Sequence, residues 1–216
     1  HSLLDERITS ARTPQVKPAP AFKRAEPDAR RASLIAACTR VLAREGAAGT
    51  SVRAIALEAG VSPGLIGHYF GSIDALIAAS YAHVEEQVQA ALDAAVAAAG
   101  PDPRARLEAY VTASLLPPIA DSALLATWIA FWSLVGANPG IARQHDEQYA
   151  GFRQRLEQLL VQTGLPAASL RPAAIAITAL VDGLWLELCL SPQTFAEGEA
   201  AEIARTALAA LISTDR

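Results

Sequence analysis

The sequence is poor in the residues that carry covalent or metal chemistry. Its 216 residues include only two cysteines, Cys38 and Cys189, which lie far apart in apolar surroundings. This argues against a disulfide framework or a zinc site and favours a reducing, cytoplasmic location. No Ser/His/Asp set, metal-spaced group or glycine-rich phosphate loop is visible. We therefore predict no cofactor, no metal and no enzymatic activity, with a helical enzyme as a remote alternative.

Long apolar runs are scarce as well. No basic start followed by an apolar stretch is visible near residue 1, so no signal peptide is predicted. One segment, residues 122–137 (SALLATWIAFWSLVGA), invites a membrane interpretation, but it falls short of the ~20 apolar residues that a bilayer requires. We predict that it forms a buried core helix and that the protein has no membrane partner.

The chain as a whole lacks the basic excess that is typical of proteins binding nucleic acids, because its formal net charge is −4. The charge is unevenly distributed, however. Residues 1–60 contain 10 Lys and Arg against 6 Asp and Glu, whereas residues 61–216 contain 8 against 16. The first part is therefore basic, and the overall acidity does not exclude DNA binding.

No alternating strand pattern is present, and alanine makes up roughly a fifth of the chain, which favours an all-α fold. Apolar spacing, caps and stops predict about nine helices, at 28–46, 52–59, 63–70, 72–99, 103–116, 122–137, 140–162, 167–190 and 194–213. The predicted organisation is a flexible basic arm containing prolines over 1–27, a DNA-binding domain over 28–72 and a helical second domain over 73–216.

The DNA-binding assignment depends on residues 52–71, VRAIALEAGVSPGLIGHYFG. A helix-turn-helix needs a small residue where its two helices cross, a residue that turns sharply between them, and apolar residues that pin both to a supporting helix. The residues that meet these requirements are Ala56, Gly60, Ile55, Val61 and Ile66. The segment therefore predicts a helix-turn-helix.

The outward side of the second of these helices is small apart from Leu65 and His68. Gly64 and Gly67 each cost about 1 kcal/mol of helix propensity relative to alanine, so either they are merely tolerated or they let the helix approach the floor of a major groove. His68 could bond a base edge or a phosphate, and Leu65 could contact a thymine methyl group. Arg53, on the preceding helix, either contacts DNA or is simply solvated.

Hydroxyl groups near the helix starts are candidates for phosphate contacts. Thr50 and Ser51 combine a hydroxyl with a helix N-terminus, where phosphates bind readily. The hydroxyl of Tyr69 could also reach a phosphate, whereas Phe70 is predicted to belong to the core.

Over about 50 residues, including GTSVRAIALEAGVSPGLIGHYFGSIDALI, the sequence resembles the TetR family of transcriptional regulators. The resemblance implies that bases are contacted by Arg53, Pro63, Leu65, Gly67 and His68, and phosphates by Thr50, Ser51 and Tyr69. Family members commonly carry a lysine where this chain has Ile73, so one phosphate anchor is absent. Either the basic arm compensates, through Lys23, Arg24, Arg30 and Arg31, or it makes no contact.

The second domain contains an aromatic stripe that predicts either plain core packing or a ligand site. Trp128, Phe131 and Trp132 lie within a turn of one another, and Trp185 follows close to Asp182. Aromatic faces beside a carboxylate suit an organic cation such as a quaternary ammonium. The predicted ligand-binding residues are Tyr110, Trp128, Phe131, Trp132, Asp182 and Trp185. A hydrophobic effector, such as a drug or an acyl compound, is the alternative.

Three segments resemble the BetI-type, choline-responsive branch of the same family: TWIAFW at 127–132, RQHDEQYAGFRQRL at 143–156 and ALVDGLWLELCLSPQTF at 179–195. This resemblance implies a repressor of genes for choline-to-betaine conversion that choline releases. Because DGLW is widespread in the larger family, Asp182 is either a ligand contact or a helix-packing residue.

The last two predicted helices carry a large apolar surface, consisting of Ile175, Leu180, Leu184, Leu188, Ile203, Leu208 and Leu211 with Gly183 among them. In family members the equivalent pair forms a four-helix dimer interface. A homodimer also suits an operator of double-stranded DNA, because two recognition helices would enter successive major grooves about 34 Å apart.

Overall fold

The structure, a computed structural model, describes residues 27–213, and its regular elements there are all helical. The nine α-helices are α1 (Pro27–Gly49), α2 (Val52–Ala59), α3 (Gly64–Phe70), α4 (Ile73–Ala98), α5 (Pro103–Ala113), α6 (Ser122–Val135), α7 (Pro139–Gln162), α8 (Ala167–Leu190) and α9 (Glu199–Ser213). A short 3₁₀ turn, Pro192–Thr194, follows α8. The predicted all-α class is confirmed for the part of the chain that the structure describes.

The first helix differs from its prediction at both ends. It begins at Pro27, which had been assigned to the arm, and Lys23 and Arg24 lie outside the described residues. The helix was expected to stop at Gly46, but helical backbone resumes beyond that residue and runs to Gly49. Gly46 is the kink, with φ of 67°, a left-handed conformation that glycine adopts without a steric penalty.

Two other helices are shorter than predicted by three or more residues. The helix expected over 103–116 ends at Ala113, shortly before Pro117 and Pro118, which cannot continue a helical hydrogen-bond pattern. The helix expected from residue 194 starts only at Glu199, because Pro192 opens the 3₁₀ turn and Gly198 takes a positive φ of 75°.

Side-chain caps explain where most helices begin. In each case an Asp, Asn or Ser oxygen accepts a hydrogen bond from a backbone N–H of the first turn, which contributes about 1 kcal/mol to stability. The capping residues are Ser51 for α2, Ser72 for α4, Asp102 for α5, Asp121 for α6 and Asn138 for α7.

A single apolar core runs from the first three helices into the rest of the protein. Helix α1 packs along α6 and also against α4, and the hydroxyl of Thr127 on α6 donates to the backbone carbonyl of Thr39 on α1 at 3.4 Å. Helix α4 has 26 residues and is therefore about 39 Å long at 1.5 Å per residue. Its beginning lies beside α3, and its middle lies against α5 and α7, so it connects the two ends of the molecule.

Among residues 27–213, one helix is long and apolar enough to cross a membrane, judged by length and composition alone, and it is α8 rather than residues 122–137. The sequence analysis considered only the latter segment, so this is a correction. A core helix of a water-soluble domain meets the same criterion. Ile177, Leu184 and Trp185 of α8 are buried inside the subunit, which supports the core interpretation.

The outer side of α8 and α9 carries an apolar strip that differs from the predicted one. Leu184 and Leu208 point inward and are buried, while Leu180, Leu188 and Leu211 are half-buried against the core. The exposed apolar surface, here called the α8–α9 face, consists of Ile175, Ala179, Gly183, Leu186, Leu190 and Ile203. The α8 members recur every three or four residues, as expected for one side of a helix.

Candidate DNA-binding surface and ligand cavity

Helices α2 and α3 form a helix-turn-helix whose inner side is buried. Ile55, Ala56 and Ile66 are each at most 2% exposed. Gly60 makes the turn with φ of 65°, and its backbone N–H contacts the carbonyls of Ala56 and Leu57. A residue with a Cβ would be strained at this backbone conformation, so a glycine is required here for internal reasons.

The outer side of this motif carries most of the predicted base-contacting residues. Pro63, Gly67, His68 and Arg53 are exposed, and Leu65 is half-buried at the start of α3. The structure therefore leaves these side chains accessible, and their contacts with DNA remain a prediction. Leu57, also on α2 and not predicted as a contact, is 83% exposed.

Gly64 and Gly67 differ from Gly60 because nothing in the subunit requires them. A Cβ built on either residue would meet no atom within 4 Å, and neither has a positive φ. Alanine would therefore fit both positions and favour the helix by up to about 1 kcal/mol each. A reason for glycine has to come from outside the subunit, as it would if α3 lay against the floor of a major groove.

The predicted phosphate contacts already have local partners. The Thr50 hydroxyl donates to the Gly46 carbonyl at 2.7 Å, and the Ser51 hydroxyl accepts from the Ala54 N–H at 3.1 Å. Tyr69 is half-buried, with its ring edge-on to His68 at 5.2 Å between centroids. The two hydroxyls thus shape the start of α2, and their role toward phosphate remains a prediction.

Arg30 and Arg31, which were assigned to the arm, belong to α1. Arg31 donates to the carbonyl of Tyr69 at 2.8 Å, and its guanidinium lies 4.2 Å from the centre of the Phe70 ring. Its side chain thus holds the end of α3, a role that the sequence analysis missed. Ile73, where a lysine anchor was expected from the family pattern, is half-buried and packs on the core.

Replacing Arg53 by alanine tests the α2 side of this surface. Arg53 is exposed, and losing a guanidinium that contacts a base edge or a phosphate costs about 1–3 kcal/mol. We expect R53A to bind the operator roughly 5- to 100-fold more weakly in a fluorescence anisotropy titration, with an unchanged melting temperature. Arg104→Ala removes the same charge from an exposed position on α5 and is the control. Equal affinities of the two variants would remove Arg53 from the contact surface.

A cavity of about 70 Å³ lies in the second domain between α4, α6, α7 and α8. This exceeds the ~10–15 Å³ that one water requires. The wall is mostly apolar and aromatic, with a few polar groups. It consists of Glu85, Val88, Gln89 and Leu92 on α4, Ser114 after α5, Trp128 on α6, Gln148, Tyr149 and Phe152 on α7, and Thr178, Val181, Asp182 and Trp185 on α8.

Half of the predicted ligand residues line this cavity. Trp128, Asp182 and Trp185 are on its wall, whereas Tyr110, Phe131 and Trp132 are not. Tyr110 and Phe131 are fully buried in the core, where Tyr110 stacks on Phe152 and Phe131 lies against Tyr81. Trp132 lies one turn of α6, about 6 Å, beyond Trp128 and packs on the core. Tyr110 thus supports Phe152 of the wall from behind, and Phe131, 6.3 Å from Trp128 between ring centroids, supports Trp128.

Asp182 is the most perturbed carboxylate of the site. One of its oxygens accepts a hydrogen bond from the Tyr149 hydroxyl at 3.0 Å. Burial raises the Asp182 pKa to about 6, although the Tyr149 hydrogen bond and the positive charge of Arg153 partly oppose this. Among residues 27–213, no basic side chain forms an ion pair with Asp182. Its negative charge is therefore poorly compensated within the subunit.

Glu85 provides a second carboxylate, which the sequence analysis missed. Its Oε2 accepts a hydrogen bond from Gln148 Nε2 at 2.6 Å. Burial raises the pKa of Glu85, and the negative charges of Glu86 and Glu147 act in the same direction. The available signal was its position on α4, since Glu85, Val88 and Leu92 follow helical spacing and all face the cavity. Only the fold reveals that α7 closes over them.

The aromatic side chains connect the cavity to α4. Trp128 contacts Trp185 edge-on at 5.6 Å between centroids, and on its other side it lies 5.3 Å from Tyr81. The Tyr81 hydroxyl is 3.2 Å from His145 Nδ1 on α7. Trp128 is therefore packed against α4 through Tyr81.

The side chains on the cavity wall are of the types that bind a small organic molecule. Within the described part of the chain, no group of three or more His, Cys, Asp or Glu side chains is arranged to hold a metal ion. The cavity offers aromatic faces and hydrogen-bond acceptors, which suit a cationic organic molecule.

Two family models match this chain, one near its N-terminus and one over its C-terminal part. Residues 34–80 match the N-terminal model of bacterial regulatory proteins of the tetR family. Residues 103–213 match the C-terminal model of BetI-type transcriptional repressors. The first match covers the helix-turn-helix, and the second includes most of the residues around the cavity.

Individual relatives agree with these matches. The HTH-type transcriptional regulator BetI of Burkholderia thailandensis is 37% identical over 168 residues, which cover 77% of this chain and 85% of that protein. A putative transcriptional regulator from Pseudomonas aeruginosa PAO1 is 39% identical, with a TM-score of 0.81 over 90% of this chain and 96% of that one. A regulator from Saccharomonospora viridis, solved in complex with choline, shares the fold at 23% identity, with a TM-score of 0.67 over 86% and 96% of the two chains.

Proposed function

Because the chain belongs to the TetR family of transcriptional regulators and carries a BetI-type C-terminal domain, we propose that it is a homodimeric, cytoplasmic repressor, released from its operator by a small organic cation. Choline is the first candidate for this effector. The regulated genes would then concern choline and glycine-betaine metabolism. The protein is accordingly a sensor that binds its effector reversibly and does not convert it.

The observation that carries this proposal is the poorly compensated charge of Asp182 among aromatic rings. The carboxylate lies beside Tyr149, on a wall that also contains Trp128 and Trp185. A buried carboxylate without a cationic partner is costly, and a bound cation offsets that cost. The electron-rich faces of tryptophan and tyrosine attract a quaternary ammonium, which needs no hydrogen bond.

The relatives favour choline among such cations. The BetI regulators share at least 34% of their residues with this chain over most of its length, and the Saccharomonospora viridis regulator of the same fold holds choline. The chain's own carboxylate and aromatic rings are of the type that this ligand requires.

Release would follow from two helices that leave the cavity wall toward the helix-turn-helix. Helix α4 carries Glu85 at the cavity and begins with Ile73 next to α3. Helix α6 carries Trp128 at the cavity, while the adjacent Thr127 bonds to α1. A cation that prefers a different position of Trp128 would shift both helices. The helix-turn-helix of each subunit would move with them. Operator affinity would fall only to the extent that the cation prefers the shifted arrangement of the helices to the DNA-bound one.

The α8–α9 face supports the dimer. It exposes Ile175, Leu186, Leu190 and Ile203, with small residues Ala179 and Gly183 that allow close approach of a second helix pair. An isologous contact through this face creates a two-fold axis, and a pseudo-palindromic operator has the same symmetry.

A thermal melting experiment distinguishes the cation from a neutral lipophile. A ligand that binds only the folded protein raises its stability by about 2.7 kcal/mol at 100 times its Kd. We expect choline chloride to raise the melting temperature by several degrees over sodium chloride of equal ionic strength, and a neutral long-chain alcohol to leave it unchanged. The reverse pattern would replace the cation by a hydrophobic effector. Turnover of choline during incubation would contradict the assignment as a sensor.

A further inference from the structure

Gln148 carries a buried hydrogen-bond acceptor that has no partner. The residue is 9% exposed and lies on the cavity wall. Its Nε2 donates to Glu85 at 2.6 Å, but its Oε1 accepts no hydrogen bond from any of the residues described by the structure. A buried polar atom left without a partner costs about 1–3 kcal/mol, so such atoms are usually satisfied by a ligand or by water.

Gln148 and Glu85 form one corner of the cavity, and the chemistry of this corner differs from that of the aromatic wall. Trp128 and Trp185 offer ring faces, while Glu85 and Gln148 offer oxygen acceptors, among them the unpartnered Oε1 of Gln148. A quaternary ammonium has no N–H or O–H group and therefore cannot satisfy Gln148 Oε1. A ligand that satisfies this corner therefore needs a second functional group that donates a hydrogen bond, in addition to its cationic end.

We propose that the cavity selects organic cations whose other end donates a hydrogen bond, with Gln148 and Glu85 as the acceptors of that donor. This inference rests on the proposed function, since it takes the cationic end to lie at Asp182 and the aromatic rings. The selected class is that of hydroxyalkyl- and aminoalkyl-ammonium compounds. Gln148 and Glu85 are then specificity-determining residues.

The same corner rejects cations that end in a carboxylate. Glu85 has the negative charges of Glu86 and Glu147 nearby, and Arg153 acts on Asp182 instead. A ligand carboxylate would meet the like charge of Glu85 and the acceptor oxygen Oε1 of Gln148, and both interactions are unfavourable. The sensor would therefore distinguish an amino alcohol from the amino acid produced by its oxidation, although both carry the same cationic head.

Isothermal titration calorimetry of the full chain with three matched cations tests this selection. Choline has a hydroxyl, propyltrimethylammonium has a methyl group in its place, and glycine betaine has a carboxylate. We expect choline to bind about 10-fold more tightly than propyltrimethylammonium, because only choline satisfies the acceptor, and about 100-fold more tightly than glycine betaine.

Two variants test whether Glu85 and Gln148 cause these differences in affinity. Glu85→Gln should bring glycine betaine to within about 10-fold of choline, because the like charge is removed. Gln148→Leu should abolish the preference of choline over propyltrimethylammonium. Asp146→Asn, which removes a charge from an exposed position on α7 that does not line the cavity, is the control and should leave the order of affinities unchanged.

The outcomes separate this inference from the function on which it rests. Equal affinities of the wild-type protein for choline and propyltrimethylammonium would overturn the donor requirement and leave the cation site intact. Tight binding of glycine betaine by the wild-type protein would overturn the role of Glu85. Absence of binding for all three cations would overturn the proposed effector class and this inference together.

Discussion

Replacing Asp182 by asparagine should stabilise the protein without ligand and abolish its response to the cation. Burial raises the Asp182 pKa from 3.8 to about 6, so the folded protein at pH 7.5 carries a destabilising charge worth roughly 2–3 kcal/mol. Asparagine keeps an oxygen for the Tyr149 hydroxyl and removes that charge. We expect the melting temperature of D182N to rise by about 5 °C and choline to bind at least 100-fold more weakly in calorimetry.

The direction of the pH dependence follows from the same raised pKa. Because the folded state holds its proton more tightly than the unfolded one, Asp182 destabilises the protein above about pH 6, and this effect disappears as the pH falls toward 4. The stability of the protein without ligand should thus rise as the pH falls, whereas its affinity for choline should decline between pH 7.5 and pH 5. Affinity declines because Asp182 takes up a proton and loses the negative charge that attracts the cation.

A matched variant identifies the contribution of Asp182 itself. Asp146→Asn removes a carboxylate from an exposed position on α7 and should change neither the melting temperature nor choline affinity. If D182N were less stable than the wild type and still bound choline, Asp182 would be a helix-packing residue, which is the alternative that the DGLW pattern leaves open.

Alanine in place of Gly64 and Gly67 should likewise move stability and function in opposite directions. A Cβ at either position meets open space inside the subunit, so the double variant should gain up to about 2 kcal/mol in folding free energy. If α3 lies on the floor of a major groove, the added methyl groups separate the helix from the bases. We expect operator affinity measured by anisotropy to fall at least 100-fold.

Gly151→Ala is the control for this pair. Gly151 lies inside α7, is exposed, and also has no atom within 4 Å of an added Cβ, so alanine should stabilise the protein and leave operator affinity unchanged. Undiminished operator binding by the Gly64/Gly67 variant would show that α3 does not approach the bases. A loss of stability would mean that the glycines have a structural role in the subunit.

The fold was predictable to the extent that it depends on local signals. Ser51 and Ser72 mark the starts of α2 and α4, and the pattern around Ala56 and Gly60 predicts the helix-turn-helix, because caps, turns and periodicity act over a few residues. Gly46 does interrupt the regular helix, but the short helical stretch that follows it, up to Gly49, was not predicted, because a left-handed glycine usually marks a helix end.

The ligand site was predictable only in part, because its residues come from five places in the sequence. Trp128, Asp182 and Trp185 could be identified by the proximity of aromatic and acidic residues. Glu85 and Gln148 could not, since each adjoins a charged residue in the sequence, Glu86 or Glu147, and carboxylates and amides usually face solvent. Tyr110 and Phe131 were included for their residue type, which does not distinguish a cavity wall from the packing behind it.

The inward and outward sides of α8 were also not separable from the sequence. Leucine occurs on both, so Leu184 in the core and Leu186 on the exposed face look equivalent without the neighbouring helices. The periodicity predicts an amphipathic helix only when one side is polar, and α8 is apolar on both sides.

The central claim, a repressor released by an organic cation, is tested most directly by anisotropy of a labelled DNA fragment from upstream of the protein's own gene. We predict salt-sensitive binding at least 1,000-fold tighter than to random DNA of equal length, and full release when choline is added at saturating concentration with constant ionic strength. Equal affinity for the two DNAs, or a complex that persists at saturating choline, would contradict the account.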